Sequence, residues 1–209
     1  MFTKRQSAVI TVAAVGTVVF AVAVMVAQIK RINEGQDQQP QGQTEAQDAG
    51  PYWKAPEFEL TNQDGKAMGL EDMKGKVWLA DFIYTTCPGQ CPLITAHVAR
   101  LQGKLPPAVR IVSFSTDPVT DTPAVLKAYG EKAGASERWT FLTGPKERMY
   151  DLIKNGFKLA IDAPPGAQII HSTKLMLVDK TGMVRGFYEG ITNDADETIV
   201  EDAGKLLKE

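Results

Sequence analysis

Apolar and polar positions follow three rhythms along this chain. From Ala8 to Ala27, 20 consecutive residues carry no charge. As a helix that run is about 30 Å long, the thickness of a bilayer's hydrocarbon core. The following stretch, RINEGQDQQPQGQTEAQDAGP, is rich in Gln, Gly and Asp and almost free of large apolar side chains. Such a segment buries too little surface to offset its ordering entropy and reads as a flexible tether. From Tyr52 onward, runs of strand and helix period alternate. FELTNQDGKAMGL predicts a hairpin turning at Asp64-Gly65. VWLADFIY (Val77 to Tyr84) and VRIVSFST (109–116) are apolar runs of strand length. Between them, Pro92 to Lys104 has helical spacing at Ile94, Val98 and Leu101, ended by Leu105 and Pro106-Pro107. Thr122 predicts a helix cap with Pro123 at the first helical position, the helix running through Val125, Leu126 and Tyr129 to Gly134. WTFLTG reads as a short strand and PKERMYDLIKNG as a helix closed by Gly156. TKLMLVDKTGMVRGFYEG reads as a hairpin turning at Lys180-Thr181-Gly182, and Asp194 to Lys208 as a final helix.

This order of elements predicts an α/β sandwich around a central mixed sheet. The layout is a short N-terminal segment (1–7), a transmembrane anchor (8–29), a tether (30–51) and one domain (52–209). A cleaved signal peptide is the competing reading of the first run, but its apolar region is usually about 7 to 15 residues long. This run is longer, and Lys30 and Arg31 close it with charge. Lys4 and Arg5 on one side balance Lys30 and Arg31 on the other, so the free amino terminus tips the N-terminus towards the cytoplasm. The expected protein is therefore single-pass, with its domain on the extracytoplasmic side, where thiols meet an oxidising environment. The net charge of -2 comes without any run of interleaved basic and aromatic residues, so nucleic acid is not an expected partner.

The chain's only two cysteines, Cys87 and Cys91, lie in TTCPGQCPLIT, where the first central strand feeds a helix. Chemistry in open α/β sheets gathers at such strand ends. With Cys87 just outside the helix and Cys91 in its first turn, the two share one face, Cβ atoms roughly 5 to 6 Å apart. The sulfurs can then bond to each other or pinch one metal ion, and free amides at the helix start favour the thiolate. Pro88 and Pro92 suit a first turn, where a missing N–H costs little. A purely structural staple is the weaker reading, because so short a loop closes little chain entropy. Of the two histidines, His97 points off the cysteine face and reads as a surface or packing residue. His171, in GAQIIHSTKLMLVD, sits just before a strand; from spacing alone it is either structural or a ligand.

With the anchor, YTTCPGQCP, FSTDPVTDTP and IIHSTKLMLVD read in that order, the chain resembles the Sco/SenC family from about Pro56 to Leu207. These are membrane-tethered, thioredoxin-fold proteins implicated in copper delivery to cytochrome c oxidase. The resemblance implies a thioredoxin-like sandwich in which the strand after His171 lies beside the one leading to Cys87. It implies that Cys87, Cys91 and His171 are copper ligands, and that Asp117 lies near the site and tunes it; the plainer reading of Asp117 is a strand-end turn residue, and Asp121-Thr122 is most simply the helix cap. The implied partners are the oxidase subunit carrying the copper site and an upstream copper donor. Many relatives have Asp immediately before the histidine, where this chain has Ile170. The donor set agrees: two thiolates and an imidazole suit Cu(I) or a Cu(II)–thiolate site, whereas zinc normally takes a fourth ligand.

The main rival is a thiol-disulfide oxidoreductase acting through a Cys87/Cys91 disulfide on extracytoplasmic proteins. Thioredoxin-type enzymes usually carry C-x-x-C and a cis-proline ahead of a late strand; here one residue more separates the cysteines, and Ser172 to Val178 contains no proline. A thiol peroxidase is disfavoured, since the positions where peroxiredoxins carry Pro and Thr/Ser hold Ala80 and Tyr84. The expectation is a copper-binding assembly factor, with copper delivery and thiol reduction as two roles of one cysteine pair.

Overall fold

The computed structural model describes residues 51–164 and 167–209, together with Met25 and Gln28. The expected anchor and tether lie outside the described residues except at Met25, Gln28 and Pro51. Among the described residues, no helix is long and apolar enough to cross a membrane.

The apolar run after Val77 becomes the middle of the fold. Numbered in chain order, the strands are β1 (Glu59–Asn62), β2 (Ala67–Gly69), β3 (Trp78–Ile83), β4 (Arg110–Ser115), β5 (Trp139–Thr143), β6 (Ile161–Asp162), β7 (Ile170–His171), β8 (Lys174–Val178) and β9 (Val184–Glu189). The helices are α1 (Cys91–Lys104), α2 (Pro123–Ala133), α3 (Lys146–Asp151) and α4 (Asp196–Leu206). A seven-stranded mixed sheet has the order β2-β1-β5-β4-β3-β8-β9. β3, β4 and β5 run parallel, and β8 joins β3 antiparallel with Trp78 opposite Val178 and Ala80 opposite Met176. All six residues of β3 are buried because both faces of the sheet are covered. Leu79 and Ile83 pack with Ile94, Val98 and Leu101 of α1, Leu126 of α2 and Ile199 and Ala203 of α4. Trp78, Ala80 and Phe82 face the other way, against Met149 of α3, Phe157 and Phe58. This is the α/β sandwich around a mixed sheet that the element order predicts, in the thioredoxin-like form that the resemblance implies.

Local chemistry sets most boundaries where the pattern places them. The Thr122 hydroxyl accepts from the Val125 amide at 3.4 Å, Pro123 opens α2, and Gly134 stops it at φ 72°, a conformation glycine adopts freely. α3 is shorter than expected: after Asp151 the chain widens into one π-turn, Leu152–Gly156, before closing at the predicted glycine. The two-residue strands β6 and β7 form a separate small sheet, Ile161 opposite His171. Two residues are too few for a period to register, so this ribbon is absent from the sequence reading. His97 is no surface residue but is fully buried. Its Nε2 lies 2.6 Å from Asp196 Oδ1 and its Nδ1 2.9 Å from the Gly190 carbonyl, while Lys104 donates to Asp196 Oδ2 at 2.5 Å. The histidine thus ties α1 to the start of α4.

The chain joins this domain far from the cysteines. The Tyr52 amide donates to Val184 at 2.9 Å and the Ala55 amide to Gly182 at 2.7 Å, beside the start of β9. β9 runs in the direction of β3, so its first residue lies at the end of the sheet opposite Cys87.

One core position breaks the apolar rule. Asp81, on the α1 side of β3, is 1% exposed, and neither carboxylate oxygen has a donor at hydrogen-bond distance. Burial pushes this carboxyl up to about 7, with Ser113 across the register pulling only weakly against it. Between pH about 4 and about 7 the native state therefore holds a proton that the unfolded chain has shed, so stability falls as pH rises through that window. The shift from 3.8 to about 7 corresponds to about 4 kcal/mol. Asp81→Asn is expected to be more stable than the natural chain at pH 8, with the advantage shrinking towards pH about 4. Urea titrations of both proteins across that range measure it; a difference that does not vary with pH contradicts the assignment.

Candidate metal centre

The two cysteines occupy the turn from β3 into α1. The β3–β4 pairing reaches its last bond where the Thr116 amide donates to the Ile83 carbonyl at 2.7 Å, and the chain then turns at Tyr84. The Cys87 amide donates to the Tyr84 carbonyl at 3.3 Å, closing that turn. Cys91 is the first residue of α1, followed by Pro92, whose missing N–H is harmless there. The first amide of the helix, that of Cys91, points at the Cys87 sulfur at 3.5 Å. Both cysteines are free thiols, Cys91 buried and Cys87 half-buried.

His171 comes to this turn from the β6–β7 ribbon. Its Nε2 lies 3.1 Å from Cys91 Sγ, and its Nδ1 lies 3.0 Å from the Ser172 carbonyl. A carbonyl only accepts, so Nδ1 carries the proton and Nε2 presents its lone pair to Cys91. Burial holds the imidazole below its ordinary range, keeping it neutral, the form that binds metals. The Tyr84 ring meets His171 edge-on, centroids 5.7 Å apart at 79°.

The two sulfurs differ electrostatically. Burial alone would push Cys87 up, but hydrogen bonds from the Cys91 thiol, the amides of Cys91 and Gly89 and the Tyr84 hydroxyl outweigh it, leaving Cys87 below the ordinary thiol range. Burial, reinforced by the neighbouring Cys87, pushes Cys91 well above that range. Cys87 is therefore the sulfur that ionises first, and Cys91 keeps its one proton, for which the Cys87 sulfur and His171 Nε2 are the competing acceptors. Among the described residues no three His, Cys, Asp or Glu side chains form a preassembled metal cage. Cys91 and His171 are in contact, and the Cys87 sulfur lies beside them at the Cys91 amide. The donors, two soft sulfurs and a neutral imidazole, fit copper.

The acidic residues of STDPVTD divide their work differently from the sequence reading. Thr122 alone caps α2, and Asp121 is fully buried beneath the cysteine turn. Its Oδ1 accepts from the Thr85 hydroxyl at 2.6 Å and its Oδ2 from the Ser115 hydroxyl at 2.6 Å. The Thr85 amide adds contacts at 3.2 and 3.3 Å. Burial raises this carboxyl while those hydrogen bonds oppose it. Asp117 lies in the adjoining turn: its amide donates to Ser115 Oγ at 3.1 Å and its carbonyl accepts from Thr120 and Asp121. Its charge is felt at Tyr84 and Asp121. Among the described residues its carboxylate makes no hydrogen bond to either cysteine or to His171. Ile170 is 61% exposed, so no carboxylate backs the histidine from that side. Tyr84 and Asp121 are the two site residues that pattern reading missed. Tyr84 looked like the last apolar residue of a strand, and Asp121 like half of a helix cap.

Comparison with known proteins gives the same outline. The SCO1/SenC family model matches residues 46–208. The SCO1 protein homolog of Bacillus subtilis (strain 168) is 41% identical over 151 residues, covering 69% of this chain and 78% of that protein. BsSco, a member of the Sco family of cytochrome c oxidase assembly proteins in which a disulfide switch is described, superposes with a TM-score of 0.70. It is 38% identical, over 76% of this chain and 96% of that one. ScoI of Bradyrhizobium japonicum, solved with copper bound, has a TM-score of 0.60 and 26% identity, over 74% of this chain and 99% of that one.

The inequality of the sulfurs has a direct chemical readout. Limited alkylation of the reduced domain at pH 7, mapped by peptide mass, is expected to label Cys87 at least about tenfold faster than Cys91. Lowering the pH should slow Cys87 only below the ordinary thiol range. Equal rates would remove the hydrogen-bond asymmetry.

Proposed function

The chain belongs to the SCO1/SenC family, and from that premise we propose that it is a membrane-anchored copper-binding protein serving the maturation of the copper site of cytochrome c oxidase. Copper is its cargo, held by Cys87, Cys91 and His171. The observation that carries this reading is the 3.1 Å contact between Cys91 Sγ and His171 Nε2, with His171 Nδ1 committed to the Ser172 carbonyl. A buried sulfur and the free lone pair of a neutral imidazole converge there from distant parts of the chain, with the more ionised sulfur one helical turn away. Bound copper would supply a soft centre that both thiolates hold strongly, and each thiol sheds its proton as it ligates. His171 Nε2 would keep its lone pair for the metal, so the Cys91 proton would leave to solvent, while the helix-start amides hold charge on Cys87.

Anchoring follows from the uncharged run at Ala8 to Ala27, and the tether enters the domain at the end opposite the cysteines. Within the domain, the cysteines and the Tyr52 pairing thus occupy opposite ends of the sheet.

A second reading, thiol-disulfide exchange, is favoured by the Cys91 amide aimed at a Cys87 sulfur of lowered pKa. There the Cys87 thiolate attacks a substrate disulfide, and the Cys91 sulfur displaces the mixed disulfide. The products are the Cys87–Cys91 disulfide and a reduced substrate.

The reduced domain from residue 52 onward is expected to bind one equivalent of copper. Cys87→Ala and Cys91→Ala each abolish tight binding. His171→Ala weakens Cu(I) less than Cu(II), because two sulfurs still suffice for a soft d¹⁰ ion. Copper titration with the thiolate–Cu(II) absorption measures this, and unchanged absorption in His171→Ala removes the histidine from the ligand set. In cells at limiting copper, the same variant separates the two readings. Delivery predicts loss of oxidase activity with partial rescue by added copper; a pure reductase retains it.

Topology has its own check. Protease added to intact spheroplasts is expected to remove the domain while leaving cytoplasmic controls whole, and protection of the domain overturns the orientation.

A further inference from the structure

The cysteine helix and the histidine segment meet at one peptide outside the ligand set. Gly190 follows β9 at the cysteine end of the sheet. Its amide donates to the Thr173 carbonyl at 3.0 Å, two residues after His171. Its carbonyl lies 2.9 Å from Nδ1 of His97, on the helix that Cys91 opens. A carbonyl only accepts, so Nδ1 carries hydrogen and donates it. The ring is fixed: it is fully buried, and its Nε2 lies 2.6 Å from Asp196 Oδ1, a carboxylate whose other oxygen accepts from Lys104. The approach of Gly190 to Thr173 is equally tight, since a Cβ at position 190 would run into the Thr173 carbonyl. The Thr173 hydroxyl adds a second tie to the end of β9, donating to the Glu189 carboxylate at 2.7 Å.

We propose that His97 is a positioning residue of the metal centre: through the Gly190 peptide it holds the segment carrying His171 against the helix carrying Cys91. This deepens the copper reading and rests on it for the metal, whereas the bridge of hydrogen bonds stands without it. Cys87 and Cys91 share one helical turn and need no such bridge. His171 lies 80 residues from Cys91 and reaches it only through tertiary contacts, of which this bridge is one. Loosening the bridge therefore costs the imidazole and spares the thiols. Cu(II), which calls on the imidazole, is then weakened more than Cu(I), which two sulfurs satisfy. The residue acts through His171 and does not touch the cargo.

Two substitutions separate the arms of the ring. Asparagine places its amide nitrogen where Nδ1 stands, and glutamine places its own where Nε2 stands. His97→Asn thus keeps the bond to Gly190, and His97→Gln keeps only the contact with Asp196. In the reduced full chain, solubilised in detergent, His97→Gln should bind Cu(II) about tenfold more weakly than the natural chain and Cu(I) within about twofold of it; His97→Asn should keep both affinities. In a His171→Ala background, His97→Gln should cost Cu(II) nothing further. Equal losses in the two variants, or an undiminished loss without His171, make His97 a packing residue and overturn the proposal. Amide hydrogen exchange reads the bridge without metal. Gly190 should exchange at least about tenfold faster in His97→Gln and at the natural rate in His97→Asn. Unchanged exchange at Gly190 in His97→Gln overturns the bridge. Should both variants fail to fold, the nitrogen-15 signal of Nδ1 in the natural chain decides: hydrogen on that nitrogen supports the bridge, and a bare nitrogen overturns it. If the natural chain takes up no copper, the ligand assignment fails, while exchange at Gly190 still decides the role of His97.

Discussion

Both oxygens of the Asp121 carboxylate are taken up by hydroxyls from two neighbouring strand ends, Thr85 after β3 and Ser115 at the end of β4. Everything at the site hangs on that pinning. β3 and β4 are parallel and adjacent, so their carboxyl ends stop side by side, each leaving polar groups that a sheet no longer satisfies. One buried carboxylate answers both. With Thr85 fixed, the turn through Tyr84 has little freedom, and Cys87 is delivered to the first amide of α1. A buried acid of this kind is stabilising only while its partners stay, so the loop and the strand ends are held as one unit.

The histidine half of the centre is secured by different means. β8 pairs with β3 in antiparallel register, which places the residues before Lys174 at the cysteine end of the sheet. The short β6–β7 ribbon then turns His171 back over Cys91. Both cysteines pack with the core under α1, and His171 is placed by its contact with Cys91, its tie to the Ser172 carbonyl and the edge of the Tyr84 ring.

The two buried acids show opposite solutions to one problem. Asp121 is surrounded by donors and organises the turn; Asp81, on the strand below, has none and is held towards its neutral form by burial. His97 shows the third solution, a buried ring facing acceptors on both nitrogens and thereby joining two helices. Each is a polar group inside the α1 side of the domain, and each differs in whether the backbone around it supplies a partner.

The order of strands and helices was legible in the chain because period and punctuation are local: apolar runs such as Val77 to Tyr84, Thr122-Pro123 at a helix start, Gly134 at its end. The cysteine pair was legible for the same reason, since residues four apart at a helix start are neighbours whatever the rest of the fold does. His171 lies 80 residues from Cys91, and no local rule links them. Their contact depends on β8 lying against β3 and on a ribbon too short to leave a pattern. Asp121 and Tyr84 were written in plain view as a cap residue and an apolar strand end. Their roles came from the partners that tertiary structure set against them, because a hydrogen bond reports where two side chains end up, and composition and spacing report only what each is made of.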